Sequence, residues 1–145
     1  MAETVSITEF LRSRRLGPVS AGVSTAEVVA LWGQPTEAHL RRPPAYSYGP
    51  VWLFVRDEKV THAGVYPMLS KSPGPPGFAF DVALESEEAF RRSITRAGLH
   101  CSRADDLMYD GEPEVVLRIE ESGVEVVFDE NGRLSSLAEP IPEGI

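Results

Sequence analysis

The sequence predicts an α+β fold in which two tandem α-βββ units form one antiparallel sheet with helices packed on one face. Helix start and stop signals precede two runs of strand-forming residues, and both runs have the same order of strands and turns. A proline- and glycine-rich stretch, residues 67–77, separates the runs. We therefore expect a single domain, residues 1–145, with approximate repeats at residues 20–66 and 84–138.

Each expected helix has a capping serine before it and a glycine after it. The three helices are expected at residues 8–15, 25–32 and 87–97, capped by Ser6, Ser24 and Ser86 and closed by Gly17, Gly33 and Gly98. The second helix is the best defined, because Ser24 and Glu27 have capping-box spacing and Pro35 follows Gly33.

Six strands are expected from β-forming residues between turn signals. They are placed at residues 45–48, 51–56, 60–66, 114–120, 124–129 and 133–138. The polar stretch 100–113 between the third helix and the fourth strand is expected to be irregular. Residues 124–130 align with residues 51–57, which favours a duplicated unit. A helix layer on one face of this six-stranded sheet would leave the other face partly open.

Charge and cysteine content exclude several functional classes. The formal net charge is −8, with 22 acidic and 14 basic residues, so a phosphate backbone would be repelled and nucleic-acid binding is not expected. Cys101 is the single cysteine, which excludes an internal disulfide. The N-terminus lacks a signal-peptide pattern and no apolar run approaches the roughly 20 residues of a membrane helix. We expect a cytoplasmic protein without membrane association.

Residues that could carry chemistry do not form a recognisable pattern. The three histidines are His39, His62 and His100, and no two have the spacing of a helical metal pair. His100 and Cys101 are adjacent, but neighbouring residues of an extended segment point to opposite faces. The acidic stretch 105–112 lacks the ligand ladder of a calcium loop. We expect no catalytic site, no metal site, no cofactor and no enzymatic activity.

Period-2 alternation identifies a candidate binding face. If Val51, Leu53 and Val55 face the helices, the residues between them face the opposite side of the sheet. With the matching positions of the second unit, this face would carry Trp52, Phe54, Arg56, Arg118, Glu120, Glu125 and Asp129. Aromatic residues, arginine and carboxylates together are typical of protein interfaces. Two alternatives stay open: the chain's own proline-rich loop or N-terminal helix covers the aromatic residues, or a homodimer buries them.

The segment from Gly22 to Pro35, GVSTAEVVALWGQP, resembles the G-(M/V)-(S/T)-x-x-E-V-x-x-L-x-G-x-P element of a wide group of small bacterial proteins. The group includes BamE-like outer-membrane assembly lipoproteins and the secreted β-lactamase inhibitor protein. The whole chain is also similar to actinobacterial and myxobacterial proteins, some of them immunity proteins of polymorphic toxin systems. The resemblance implies tandem helix-plus-meander units. The lipoproteins begin with a signal and an anchoring cysteine that this chain does not show, so a membrane-assembly role is not expected.

Composition, motifs and resemblance together favour a non-enzymatic binding protein. The most concrete expectation is an immunity-type inhibitor that occludes a partner toxin or enzyme, with a basic toxin domain as the matching partner. The alternative is a structural or assembly factor that homodimerises through the open sheet face. An enzyme of unknown class ranks third.

Overall fold

The computed structural model describes residues 5–39, 44–67, 74–104 and 115–140. The helices are α1 (Ile7–Ser13), α2 (Thr25–Trp32) and α3 (Glu87–Arg96). The strands are β1 (Val5–Ser6), β2 (Glu37–His39), β3 (Ala45–Tyr48), β4 (Val51–Arg56), β5 (Lys59–Val65), β6 (Phe78–Ala79), β7 (Cys101–Arg103), β8 (Val115–Ile119), β9 (Glu125–Phe128) and β10 (Leu134–Ala138). No helix among these elements is both long and apolar enough to cross a membrane.

The expected α+β class is confirmed, with one large sheet that is antiparallel throughout. Its eight strands lie in the order β2-β3-β4-β5-β10-β9-β8-β7. Unit one runs from α2 to β5 and unit two from α3 to β10. Across the sheet, the strands of unit one lie in chain order and those of unit two in reverse chain order. The units join where β5 and β10 pair antiparallel. The two repeats therefore form one continuous sheet, as the sequence predicts.

The sheet is larger than the six strands expected. The additional strands, β2 and β7, form its two edges, and β7 lies in a stretch expected to be irregular. Both have only three residues and a mostly polar sequence, so period-2 alternation could not reveal them; pairing with β3 and β8 makes them strands. A separate two-stranded parallel sheet joins β1 to β6 and was also not expected.

Several expectations fall on parts of the chain outside the described residues. They include most of the proline- and glycine-rich stretch (residues 68–73), the acidic stretch at residues 105–112, and the start of the fourth expected strand at residue 114.

The helix caps follow the sequence signals closely. The side chains of Ser6, Ser24 and Ser86 accept hydrogen bonds from backbone N–H groups three residues ahead, each at 3.1 Å. Gly33 has φ 83° and ψ −166°, a backbone conformation that only glycine adopts readily. The first helix ends at Ser13, earlier than expected, because Arg14 adopts the left-handed conformation with φ 63° and its N–H bonds to the carbonyl of Phe10.

Replacing Ser24 with alanine is expected to lower the free energy of unfolding by about 1 kcal/mol, because the N–H of Glu27 loses its acceptor. Urea unfolding measures this change. Ser24→Asp restores an acceptor at the cap and should recover most of the loss. Equal stability of Ser24→Ala and the wild type would contradict the capping role.

Helices and sheet share one hydrophobic core on a single face of the sheet. Helix α1 contributes Ile7, Phe10 and Leu11, which are fully buried, and α2 contributes Val28 and Trp32. The inward residues of the strands complete this core: Val51, Leu53, Val65, Leu117, Ile119, Val126, Phe128, Leu134 and Leu137. Since all three helices pack against this set, the opposite face of the sheet carries no helix among the described residues.

Glu139 is a buried carboxyl group at the seam between the units, with 6% of its surface exposed. Its Oε2 accepts a 2.7 Å hydrogen bond from the backbone N–H of Ala63 on β5. Burial raises the pKa of Glu139, although this hydrogen bond and the positive charge of Arg14 act in the opposite direction. The folded state therefore holds the proton of this group more tightly than the unfolded chain does.

This raised pKa predicts a specific pH dependence of stability. The contribution of Glu139 is full below the unfolded pKa of about 4.5 and is lost as the pH rises through the folded value. Glu139→Gln keeps an acceptor for Ala63 but cannot ionise. Urea unfolding at a series of pH values should show the wild type losing stability relative to Glu139→Gln above pH 4.5. A difference that stays constant with pH would contradict the assignment.

Candidate binding site on the helix-free face

Strand register places Trp52 and Phe54 on the sheet face opposite the helices. Their neighbours Val51 and Leu53 have 0% and 1% of their surface exposed and belong to the core. Since side chains alternate along β4, Trp52 and Phe54 point the other way, and both keep partly exposed surfaces. The predicted division of the two faces of β4 is confirmed.

Trp52 and Phe54 belong to a larger group, which we call the aromatic cluster: His39, Trp52, Phe54, His62 and Tyr66. The ring of His39 stacks on Trp52 at 4.3 Å between centroids, and the ring of His62 stacks on Phe54 at 4.6 Å. Trp52 lies 6.4 Å from Phe54 and meets Tyr66 edge-on at 6.0 Å. The five rings thus form one connected surface across β2, β4, β5 and the residue after it.

Small residues on the intervening strands make these ring contacts possible. On β3, Ala45 lies opposite His39 and Ser47 lies opposite Trp52, so the two rings can meet above them. On β5, Gly64 lies opposite Trp52. A Cβ at Gly64 would lie 2.7 Å from the Oη of Tyr66. The backbone φ angle of Gly64 is not positive. Glycine is therefore required there for the close approach of Tyr66 rather than for its backbone conformation.

Unit two shows which residues the same fold has at the positions of this cluster. In unit one, the pairs Trp52–Gly64 and Phe54–His62 are followed by a register shift in β5. In unit two, the pairs Glu125–Ala138 and Val127–Ser136 are followed by a register shift in β10. Glu125, Val127 and Ser136 therefore occupy the positions of Trp52, Phe54 and His62. The same fold forms without aromatic rings at these positions.

Three of the charged candidates lie on the same helix-free face of the sheet as the aromatic cluster. Arg118 and Glu125 lie directly opposite each other on β8 and β9, facing away from the helices. Arg56 ends β4, opposite Lys59, and is exposed. The helix-free face therefore carries charged groups of both signs outside the aromatic surface, with Arg118 and Glu125 separated from it by β10.

The other two charged candidates have different positions from those expected. Glu120 follows the end of β8, so alternation no longer applies to it, and it lines an open depression beside α3 with Arg91 and Cys101. Asp129 closes the β9–β10 hairpin: its Oδ1 accepts from the N–H groups of Asn131 and Arg133 at 2.9 and 3.0 Å. These two hydrogen bonds give the carboxylate of Asp129 a structural role in the turn.

Burial changes the acid–base behaviour of the cluster. It lowers the pKa of His62 and raises the pKa of Tyr66, because in each case the charged form is disfavoured by loss of solvent. His39 is half-exposed and its Nε2 lies 3.6 Å from a carboxylate oxygen of Glu37. At neutral pH the inner part of the cluster therefore presents uncharged rings.

The depression beside α3 does not have the chemistry of a cysteine nucleophile. Burial raises the pKa of the Cys101 thiol, only partly opposed by Arg91. The neighbouring imidazole is engaged elsewhere, since Nδ1 of His100 lies 2.7 Å from Oε2 of Glu121. Cys101 is partly buried and packs against the core. Within residues 5–39, 44–67, 74–104 and 115–140, no three metal-ligating side chains come together.

The sequence interpretation missed three members of the cluster: His39, His62 and Tyr66. His39 lies on the edge strand that was not expected. Tyr66 was placed in a strand without an assigned face. The histidine at 62 follows the core residue Val60 by two positions, so strict alternation assigns it to the core. The register shift between the Phe54–His62 and Val55–Val60 pairs turns it to the other face.

Comparisons with protein-family models, with curated proteins and with solved structures found no match to this chain. The resemblance to BamE-like and immunity proteins therefore stays a prediction.

Proposed function

We propose that this chain is a non-enzymatic, cytoplasmic binding protein whose aromatic cluster docks a basic protein partner. It would act as an immunity-type inhibitor, covering the active surface of a toxin or enzyme. The proposal rests on a comparison of the two units. Unit one has the rings of Trp52, Phe54 and His62 at the positions where unit two has three residues without rings, so the fold itself does not need these rings. Such an excess of aromatic surface suggests a role outside folding.

The composition of this face suits a protein interface. Tryptophan is enriched among the residues that dominate binding energy, and Trp52 lies at the centre of the aromatic cluster with contacts to three of its rings. Arg56 at the end of β4, and Arg118 and Glu125 farther along the same face, supply polar groups outside this centre, as in the rim of an interface. The broad surface favours steric occlusion of the partner as the mode of inhibition.

Charge indicates the kind of partner. The net charge of −8 attracts a basic protein over distances of about a Debye length and accelerates its association. The rate of association should therefore decrease as salt increases, whereas dissociation, set by the aromatic contacts, should change less.

Photo-crosslinking tests the proposal. A benzoylphenylalanine at position 54 should trap the partner in cells of the source organism, and the same residue at position 127 is the matched control because both positions lie on the helix-free face. The trapped protein, once purified, should bind the chain at a 1:1 ratio and lose its activity on binding.

Other outcomes would reject the proposal. Crosslinks of equal yield from both positions, or none from position 54, would remove the aromatic cluster as the docking site. A crosslink between two copies of the chain would support the homodimeric assembly factor instead. A trapped partner that keeps its full activity in the complex would exclude inhibition.

A further inference from the structure

The outer strand β7 bonds to its own sheet through only every second residue. It is the last strand in the sheet order, and β8 is its one neighbour among the described strands. The carbonyl of His100 and the N–H of Ala104 both form hydrogen bonds across the β7–β8 pair. Because the bonding direction alternates along an antiparallel strand, the N–H and carbonyl groups of Cys101 and Arg103 point to the outer edge.

The residue opposite Cys101 on β8 confirms this direction. Ile119 donates to the carbonyl of Val124 at 2.9 Å and accepts from the N–H of Gly123 at 2.7 Å, so its backbone groups are turned away from β7. The outward groups of β7 are therefore placed to pair with a further strand.

The pattern of outward groups on β7 is complementary to itself. A second copy of β7, antiparallel to the first and centred on Ser102, places Cys101 of each copy opposite Arg103 of the other. Both residues direct their N–H and carbonyl groups outward, so each such pair can exchange both of its N–H···O bonds. An interface of this kind has two-fold symmetry and closes as a dimer.

The side chains of Cys101 and Arg103 lie on the helix side of β7. They pair with Ile119 and Leu117, both fully buried in the core that the helices cover. In the two-fold pairing, the side chain of Arg103 from one copy therefore lies beside Cys101 of the other, on the helix side of the sheet.

A depression of about 420 Å³ lies on this side of the sheet, between α3 and β7. It exists because α3 packs over β9, two strands in from the edge, where Phe90 meets Phe128. Its lining includes Ile94, Leu99 and Cys101. The aliphatic stem of an arginine that enters from a second copy would pack against these apolar groups.

The charges around the depression favour a guanidinium. The groups that act on the thiol of β7 include three carboxylates, of Glu87, Glu120 and Glu121, and one guanidinium, of Arg91. Arg91 pairs with Glu87 at 2.8 Å, and Glu121 pairs with His100 at 2.7 Å. Glu120 is the one of these carboxylates without an ion pair to the rest of the described chain.

We infer that two copies of this chain associate through β7, with Arg103 of each copy seated in the depression beside α3 of the other, next to Glu120. Both side chains are exposed, and neither forms an ion pair with another described residue of its own chain. The aromatic cluster lies toward the other end of the sheet, on and beside β2, β4 and β5. The dimer therefore leaves it accessible, and the inference does not depend on the proposed function.

Sedimentation velocity of the full chain from about 1 μM to about 1 mM tests the association. The wild type should form dimers within this range. Arg103→Glu and Glu120→Arg should each weaken association about tenfold or more, because like charges then meet in the depression. The double variant restores opposite charges and should return to within about threefold of the wild type.

A disulfide at the centre of the interface tests the strand register. The two copies of Ser102 form a non-hydrogen-bonded pair with Cα atoms about 4.5 Å apart, which suits a disulfide. In a Cys101→Ser background, Ser102→Cys should give a crosslinked dimer under mild oxidation. Ala38→Cys in the same background is the matched control, because Ala38 is the middle residue of the other three-residue edge strand, and it should give little crosslinking.

Three results would overturn the inference: a wild type that stays monomeric throughout the concentration range, charge variants that do not show this weakening and recovery, or equal disulfide yields at positions 38 and 102. Circular dichroism checks the fold of each variant. Trp52→Ala should dimerise as the wild type does, so its effect on partner binding tests the proposed function separately from this inference.

Discussion

Replacing Phe90 with alanine is expected to lower the free energy of unfolding by about 3–5 kcal/mol. Phe90 is fully buried on α3, and its ring meets Phe128 of β9 edge-on at 5.5 Å. This contact joins the helix of unit two to its own sheet. Truncation removes the burial of an entire ring, leaves a cavity beneath the helix and loses the aromatic pair.

Urea unfolding followed by circular dichroism measures the loss. Phe80→Ala is the matched control, because Phe80 also pairs edge-on with another ring, Phe78, but is 37% exposed. It should cost about 1 kcal/mol or less, since most of the transfer free energy is absent at a partly exposed site. Similar losses for Phe80→Ala and Phe90→Ala would mean that α3 does not pack on the sheet as described.

Replacing Trp52 with alanine is expected to weaken binding of the crosslinked partner by about 2 kcal/mol or more, which is about 30-fold. The indole touches His39, Phe54 and Tyr66, so its removal opens the centre of the aromatic cluster. The fold should lose little stability, because Trp52 lies outside the core shared with the helices. Titration calorimetry with the purified partner measures the affinity, and urea unfolding measures the stability.

Val127→Ala provides the control for Trp52→Ala. Val127 lies on the same sheet face in unit two, so this change truncates an apolar side chain there without touching the aromatic cluster. We expect its affinity for the partner to stay within about threefold of the wild type, as for most residues around an interface centre. Equal weakening by both variants would indicate that the whole face, rather than the aromatic cluster, binds the partner.

Much of the fold could be predicted from local sequence signals. The capping serines and the closing glycines act within one or two turns of helix, so the ends of α2 and α3 could be read directly. The faces of β4 were also predictable, because alternation of Val51, Trp52, Leu53 and Phe54 is a property of a single strand. Duplication was visible because both units repeat these signals in the same order.

The tertiary structure decided the features that depend on pairing between strands. The edge strands β2 and β7 contain polar residues, and only hydrogen bonds to β3 and β8 make them strands. Glu120 and Asp129 lie outside the predicted site. Each follows the last residue of a strand, where alternation ends and the turn sets the direction of the side chain.

The candidate site contains both residues that local sequence signals predict and residues that only strand pairing brings there. Sequence alone determined that Trp52 and Phe54 share one face of β4 and that Val51 and Leu53 share the other, because alternation needs no neighbour. Burial of Val51 and Leu53 in the core shared with the helices then decided which face the helices cover. Only the tertiary structure added His39, through an edge strand, and His62, through a register shift opposite Phe54 and Val55. A register shift reverses the face of every residue beyond it, and it arises from the fit of two strands to each other. Neither strand records that fit in its own sequence.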